Sequence, residues 1–201
     1  MTVPDSSTDP STLIEAGTQL AELTASLNGW TPDLVGTLVF VRQGDQVLLI
    51  HKKTGHGAGL INGPGGKVQP GETSIECAHR ELHEELGIRV SHLEQRAVLR
   101  FVEQRGDQWL GYAFVAFGID GLPRETPEAR PLWTPITDLP LDRMWPDDRV
   151  WLPMILAGEH LEGDFLFNDG ALLAHRVRLI GTSSSQWDAV PAGDVPRSEP
   201  S

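Results

Sequence analysis

Apolar positions recur along the chain with two different periods, and together they divide it into elements. Across residues 12–28, Leu13, Ala16, Leu20, Leu23 and Leu27 share one face at helical spacing, Thr12-x-x-Glu15 fits a capping box and Asn28-Gly29 a stop. This spacing predicts an N-terminal packing helix. Residues 37–42 and 46–53 read as apolar strands joined at Gly44-Asp45, and a glycine-rich stretch from Gly55 to Gly66 follows. Residues 74–86 have a helical period closed by Gly87, with Ile75, Ala78, Leu82 and Leu86 as the face for the sheet. Residues 97–104 and 108–119 form a hairpin about Arg105-Gly106-Asp107. Residues 130–136 suit a further strand, 147–157 a helix, and 164–167 with 172–180 a closing hairpin. The alternation predicts an α/β fold with a central domain over residues 35–182, an N-terminal extension over 1–34 carrying the helix, and a tail over 183–201. The tail and the first ten residues are rich in Pro, Ser, Thr, Gly and Asp and read as disordered.

Composition narrows the function classes. The 201 residues carry 16 Lys and Arg against 28 Asp and Glu, a formal charge of −12, which repels a long phosphate backbone. A small anionic substrate is still admissible, because carboxylates can hold it through divalent cations. No apolar run approaches the ~18 residues of a membrane helix, and the N-terminus lacks a signal-peptide pattern, so a cytoplasmic protein is expected. The single cysteine, Cys77, excludes an internal disulfide and is read as a helix-packing thiol.

The predicted helix over 74–86 concentrates the chemistry. Glu81, Glu84 and Glu85 stand at i, i+3 and i+4 on one face, where they repel each other and lie in the half of the helix that disfavours negative charge. A shared hard cation, Mg²⁺ or Mn²⁺, offsets both penalties. Glu72 lies upstream at the mouth of the glycine loop, and Arg80 is placed to pair with Glu76 or Glu84 and hold the acids in position. His79 and His83 also stand at i, i+4, but in the order His-x-Glu-x-His, which misplaces the base of a zinc protease; both read as surface residues.

The segment Gly66-Lys-Val-Gln-Pro-Gly-Glu72, seven further residues, then Arg80-Glu-Leu-His-Glu-Glu-Leu-Gly-Ile88 is identified with the signature of the Nudix hydrolases. The resemblance implies an α/β/α sandwich with a mixed sheet and a loop–helix–loop that binds Mg²⁺. It also implies hydrolysis of a diphosphate bond in a small nucleotide. Glu81, Glu84, Glu85 and Arg80 become the catalytic residues, with Glu81 and Glu85 as principal ligands; which of the three glutamates takes the proton is left open.

Beyond that signature, residues 37–148 resemble the MutT-type oxidised-purine nucleoside triphosphatases, through Thr37-Leu-Val, Lys52-Lys53, Gly57-Ala-Gly59, Asn62-Gly63, Gly65-Gly-Lys-Val68 and Trp145-Pro-Asp-Asp148. The resemblance implies a nucleotide pocket lined by Thr37, Lys52, Asn62, Pro64, Gly65, Gly66 and Lys67. It implies a metal site completed by the Gly65 carbonyl and Glu128, and a base-recognition cluster of Trp145, Pro146, Asp147 and Asp148. On the residues alone, Glu128 is an ordinary exposed loop acid, and Pro146-Asp-Asp equally suits the start of a helix. Two adjacent aspartates in an apolar pocket would share a proton and so donate as well as accept. Ile61, Pro64 and His56 stand where the resemblance places aromatic residues. The expected activity is Mg²⁺-dependent conversion of oxidised purine nucleoside triphosphates to monophosphate and pyrophosphate, by a monomer with neither long nucleic acid nor membrane as partner. Rival readings are a pyrophosphatase for dinucleotide polyphosphates or nucleoside-diphosphate sugars, and a non-catalytic nucleotide-binding module.

Overall fold

A computed structural model describes residues 13–181. The first twelve residues and the tail over 183–201 lie outside the described residues, and with them the expectations of disorder. In chain order the elements are β1 (Leu13–Gly17), α1 (Leu20–Ser26), β2 (Leu34–Gln43), β3 (Gln46–Lys52), β4 (Ile61–Asn62), α2 (Ser74–Leu86), β5 (Arg89–Glu103), β6 (Trp109–Asp120), β7 (Ala129–Pro135), α3 (Asp148–Leu156), β8 (His160–Asn168) and β9 (Ala171–Ile180).

The strands form one mixed sheet in the order β1-β9-β8-β5-β6-β2-β3-β4, with β7 also pairing β3. Two pairings are parallel, β2 with β6 and β5 with β8; the others are antiparallel. Alternation along the strands supplies two apolar faces. Val39, Val41, Leu48 and Ile50 meet Ala78, Leu82 and Leu86 of α2 on one side. Phe40, Val47, Leu49, Leu99 and Phe165 meet Trp151, Leu152 and Ile155 of α3 on the other. The result is an α/β/α sandwich, as the resemblance implies.

Two expectations are corrected. The helix expected over 12–28 is a strand followed by a shorter helix. Leu13–Gly17 pairs antiparallel with β9, Leu13 opposite Arg178 and Gly17 opposite Ala174. Gly17 explains the preference: its φ is +112°, and a Cβ there would lie 2.3 Å from the Leu173 carbonyl oxygen, so only glycine allows this close approach. Leu20, Leu23 and Leu27 do cluster under α1 as the periodicity requires, against Val102, Leu166 and Ala174, while Leu13 is exposed. The second correction concerns α2. Ile75 is half-exposed, and Cys77 occupies the buried position beside Ala78.

Candidate active site

The turn before α2 and the helix itself are fixed locally. Thr73 and Glu76 form a reciprocal capping box, the Thr73 hydroxyl accepting from Glu76 N–H at 3.2 Å and the Glu76 carboxylate from Thr73 N–H at 2.8 Å. Gly87, at φ 70°, closes the helix in the left-handed conformation. Glu76 is therefore used in the cap and is not the partner of Arg80, contrary to one of the two expected pairings.

Arg80 instead gathers the acids around its guanidinium. Its Nε donates to Glu72 at 2.7 Å and its Nη2 to the same carboxylate at 3.0 Å, while Nη1 donates to Glu81 at 2.6 Å and to Glu84 at 2.9 Å. Nη2 also reaches the Lys67 carbonyl oxygen at 3.1 Å, which ties the glycine loop to the helix. The Arg80 bond holds the Glu72 carboxyl below its ordinary pKa, whereas burial pushes Glu81 upward.

Glu85 is the most buried of the acids, with a side chain 1% exposed. Its two oxygens accept from Lys52 Nζ at 3.0 Å and from Gly65 N–H at 2.9 Å. Desolvation raises its pKa despite the ammonium beside it. The Glu85 backbone carbonyl accepts from the Thr126 hydroxyl at 3.0 Å, so α2 is bonded directly to the loop that carries Glu128. Glu128 itself is exposed on that loop, with its carbonyl accepting from Lys53 N–H at 2.8 Å.

The glycine loop comes this close because it has no side chains in the way. It runs along β2, with the Pro64 carbonyl accepting from Val39 and the Gly66 carbonyl from Thr37. A Cβ at Gly65 would lie 1.9 Å from the Thr37 carbonyl oxygen, and one at Gly66 2.2 Å from Glu81 Oε1. The Thr37 hydroxyl meets Cys77 Sγ at 3.4 Å, which sets Thr37 on the acidic-helix side of the sheet. Burial pushes the Cys77 thiol up to about 11, so it is a packing group, as expected.

These donors suit a hard divalent cation. Glu81 and Glu85 are acid oxygens drawn to one glycine turn and partly desolvated, and each is matched by a basic side chain that supplies positive charge. Among the described residues no three such groups stand clustered as a cation cage. Arg80 and Lys52 draw the carboxylates to themselves, and holding a cation requires Glu81 and Glu84 to turn from Arg80. Glu81, Glu84 and Glu85 are the acids of this helix face that could hold one, with Gly65 bonded to Glu85 through its N–H.

The other end of the site lies at the start of α3. Asp147 and Asp148 are 3% and 2% exposed. Asp147 takes the cap position but its carboxylate makes no capping bond; it accepts from Trp151 Nε1 at 2.8 Å. Asp148 accepts from the Trp145 N–H at 3.1 Å. Burial drives both pKa values up, Asp147 to about 6, and the charge of Asp147 adds to the rise at Asp148. A simple helix start would leave these carboxylates solvated. The Trp145 indole faces Gly57, where a Cβ would stand 3.3 Å from its Nε1. Asn62 is half-buried, its carboxamide oxygen turned back to accept from Gly63 N–H at 2.8 Å.

Two features of the site escape sequence reasoning. Trp109, at the head of β6, stacks on His56 at 5.3 Å and lies under Lys67 Nζ at 5.2 Å, and it supplies aromatic surface that Ile61 and Pro64 do not. Ile61 belongs to the core on the α3 side. Thr126 ties the Glu128 loop to α2. A tryptophan at a predicted strand start was the available signal for the first, and the second had none.

Comparison with known proteins agrees with this geometry. Residues 32–155 match the NUDIX domain family. An oxidized purine nucleoside triphosphate hydrolase of Mus musculus is 40% identical over 146 residues, covering 72% of this chain and 94% of that protein. The Danio rerio protein of the same name is 44% identical over 133 residues, 65% of this chain and 85% of the relative. Among solved structures, a mutator MutT protein from Bacillus halodurans superposes with a TM-score of 0.64 at 28% identity, over 72% of this chain and 97% of that one. With the signature acids, their arginine and the glycine loop assembled as described, the chain belongs to the NUDIX domain family and is a hydrolase of small nucleotide substrates that depends on a divalent metal.

Proposed function

We propose that this hydrolase converts oxidised purine nucleoside triphosphates, of the 8-oxo-dGTP or 2-oxo-dATP type, to the monophosphate and pyrophosphate. The proposed cation is Mg²⁺, with Mn²⁺ able to replace it, and the proposed setting is the cytoplasmic nucleotide pool, with the enzyme acting as a monomer. The buried Asp147–Asp148 pair beside Trp145 carries the reading. A pair that retains a proton near neutral pH donates one hydrogen bond and accepts others, which suits the altered edge of an oxidised purine. The names of the two relatives above support the same substrate class.

The residues divide the work. Trp145 offers a stacking face and Asn62 a free carboxamide N–H₂ for the base. Lys52 and Lys67 supply positive charge toward the phosphates. Arg80 holds Glu72, and holds Glu81 and Glu84 until a cation draws them away; one of Glu81, Glu84 and Glu85 takes the proton of the attacking water. Glu128 completes the acid set from its neighbouring loop, and Pro146 sets the approach to the aspartate pair. When bound, the cation neutralises the polyphosphate and lowers the pKa of the water.

The test is pyrophosphate release with Mg²⁺ from 8-oxo-dGTP, 2-oxo-dATP, dGTP and dATP at sub-saturating concentration. A preference for either oxidised nucleotide of about tenfold or more is expected, within the ~1–3 kcal/mol a pocket contact supplies. Equal rates on all four would overturn the substrate assignment and favour dinucleotides or nucleotide sugars.

A further inference from the structure

The base end and the phosphate end of the site are joined by a row of stacked rings. The His56 imidazole stacks on the Trp145 indole, with 5.1 Å between centroids and 15° between planes, and on the Trp109 indole at 5.3 Å and 23°. Lys67 Nζ then lies 5.2 Å from the centre of Trp109. Trp145 is bonded to the aspartate pair through its N–H, and Lys67 to the acidic helix through its carbonyl. His56 therefore covers aromatic surface at the midpoint between base recognition and hydrolysis.

The segment that delivers His56 is a short surface excursion between β3 and β4. Its bonds are backbone ones, Ala58 N–H to Gly55, Gly59 N–H to Lys52 and Leu60 N–H to Gly57, and among the described residues the imidazole is held by its two ring contacts. Gly55, Gly57 and Gly59 have φ of 73°, 79° and 91°, so glycines lie on both sides of His56, and the residue is exposed. A ring held by stacking alone on a glycine-flanked loop can leave without breaking a hydrogen bond. Partial burial, with Lys52 and Lys67 nearby, also lowers its pKa from the ordinary histidine value against the opposing charge of Asp107, which favours the flat uncharged imidazole.

We propose that His56 is a built-in substitute for the purine: its imidazole covers the faces of Trp145 and Trp109 that a neutral purine ring takes, and the nucleotide binds by displacing it. This rests on the purine-nucleotide reading of the site. A purine has two fused rings and can cover both indoles where the imidazole now lies. Displacement subtracts the same amount from the affinity of every purine. His56 thus weakens binding without setting which base is preferred, and the effect appears in KM and not in kcat. A side chain that stacks on bound substrate behaves oppositely, since its loss raises KM.

Two measurements test this. In the first, the ring protons of His56, assigned by comparison with His56→Gln, are followed by NMR while dGMP and 8-oxo-dGMP are added with Mg²⁺. They are expected upfield in the free protein, under the two indole ring currents, and to move toward the position of a free imidazole as nucleotide saturates. Resonances that stay upfield up to millimolar nucleotide overturn the proposal. In the second, His56→Ala is expected to lower KM about three- to tenfold for oxidised and unmodified purine triphosphates alike, the worth of roughly one aromatic pair. A raised KM, or a changed ranking of bases, also overturns it. The two readings fail separately. If the nucleotides displace His56 but no triphosphate is hydrolysed, the proposed activity falls and the displacement stands. Hydrolysis with an unmoved His56 does the reverse.

Discussion

Raising the pH is expected to loosen the protein at Asp147 and Asp148, by an amount that follows from their burial. In the unfolded chain each aspartate titrates near 3.8, whereas in the fold desolvation carries Asp147 to about 6 and Asp148 in the same direction. A carboxyl whose folded pKa is raised favours the fold in its protonated form. Its contribution is complete below the unfolded pKa and disappears as the pH rises through the folded one. For Asp147 alone the full contribution is about 3 kcal/mol, of which about 1.4 kcal/mol is still present at pH 5 and almost none at pH 8. Asp148 adds a loss of the same sign wherever it titrates. The measurement is urea unfolding followed by tryptophan fluorescence at pH 5, 6, 7 and 8, on the wild type and on Asp147→Asn/Asp148→Asn. All other acids and histidines titrate in both proteins and cancel in the difference. The wild type is expected to lose about 1.4 kcal/mol or more, relative to the double variant, between pH 5 and pH 8. Parallel profiles, within about 0.3 kcal/mol, would refute the assignment of a shared buried proton. They would also remove the physical basis for the pair as a hydrogen-bond donor to the base.

Three further outcomes are expected. Glu85→Gln lowers kcat about 10³-fold while a titration of non-hydrolysed nucleotide shows binding retained, because the variant keeps the shape of the site and loses its most buried charge; wild-type turnover would end the catalytic assignment. Asp147→Asn changes the order of preference among 8-oxo-dGTP, 2-oxo-dATP and dGTP by about 1–3 kcal/mol, more than it changes the rate on the best of them; an unaltered ranking would remove the pair from the base site. Gly65→Ala and Gly66→Ala separate stability from activity. The first drives a Cβ into the Thr37 carbonyl and costs about 2–4 kcal/mol in urea unfolding. The second meets only the movable end of Glu81, so stability changes by less than about 1 kcal/mol while misplacement of that carboxylate lowers kcat about 10²-fold.

What was legible in the sequence follows the range of the interactions concerned. Ser74–Leu86 forms the helix its apolar spacing and Gly87 stop predict, because both act within one turn of where they stand; the Thr73–Glu76 capping box that starts it was not read from the sequence. Apart from β1, read as helix, and the two-residue β4, which was not read as a strand, the strands were placed to within four residues except for β5. Its first half, Arg89 to Arg96, is largely polar and is held by pairing with β6, with an irregularity between Gln95 and Ala97. The N-terminal helix failed for a related reason. Leu13 to Gly17 carries a helical spacing, but its backbone finds β9 as a partner more than 150 residues along the chain, and Gly17 permits contact that a helix would forgo. In the site, the pairing of Arg80 with Glu84 follows from helical spacing. Its stronger attachment to Glu72 spans the turn before the helix and needs the folded loop to be seen.

The same difference in range separates the reaction from its substrate. The groups placed for hydrolysis, apart from Lys52 and Glu128, lie within one continuous loop and helix from Gly65 to Glu85, and a spacing of residues is enough to find them. The proposed recognition groups are Trp109 at the head of β6 and Trp145 with the aspartates before α3, and His56 between β3 and β4 stacks on both indoles. Those residues come together only across the sheet. Lys67 links the two ends, its Nζ lying over Trp109 while its carbonyl meets Arg80. On the proposed reading, Trp109 offers a stacking face from a different strand where His56, Pro64 and Ile61 stand in positions at which the resemblance places aromatics. On the same reading, substrate preference in this chain is accordingly to be sought in Trp109, Trp145 and the Asp147–Asp148 pair, and not in the acids that identify the family.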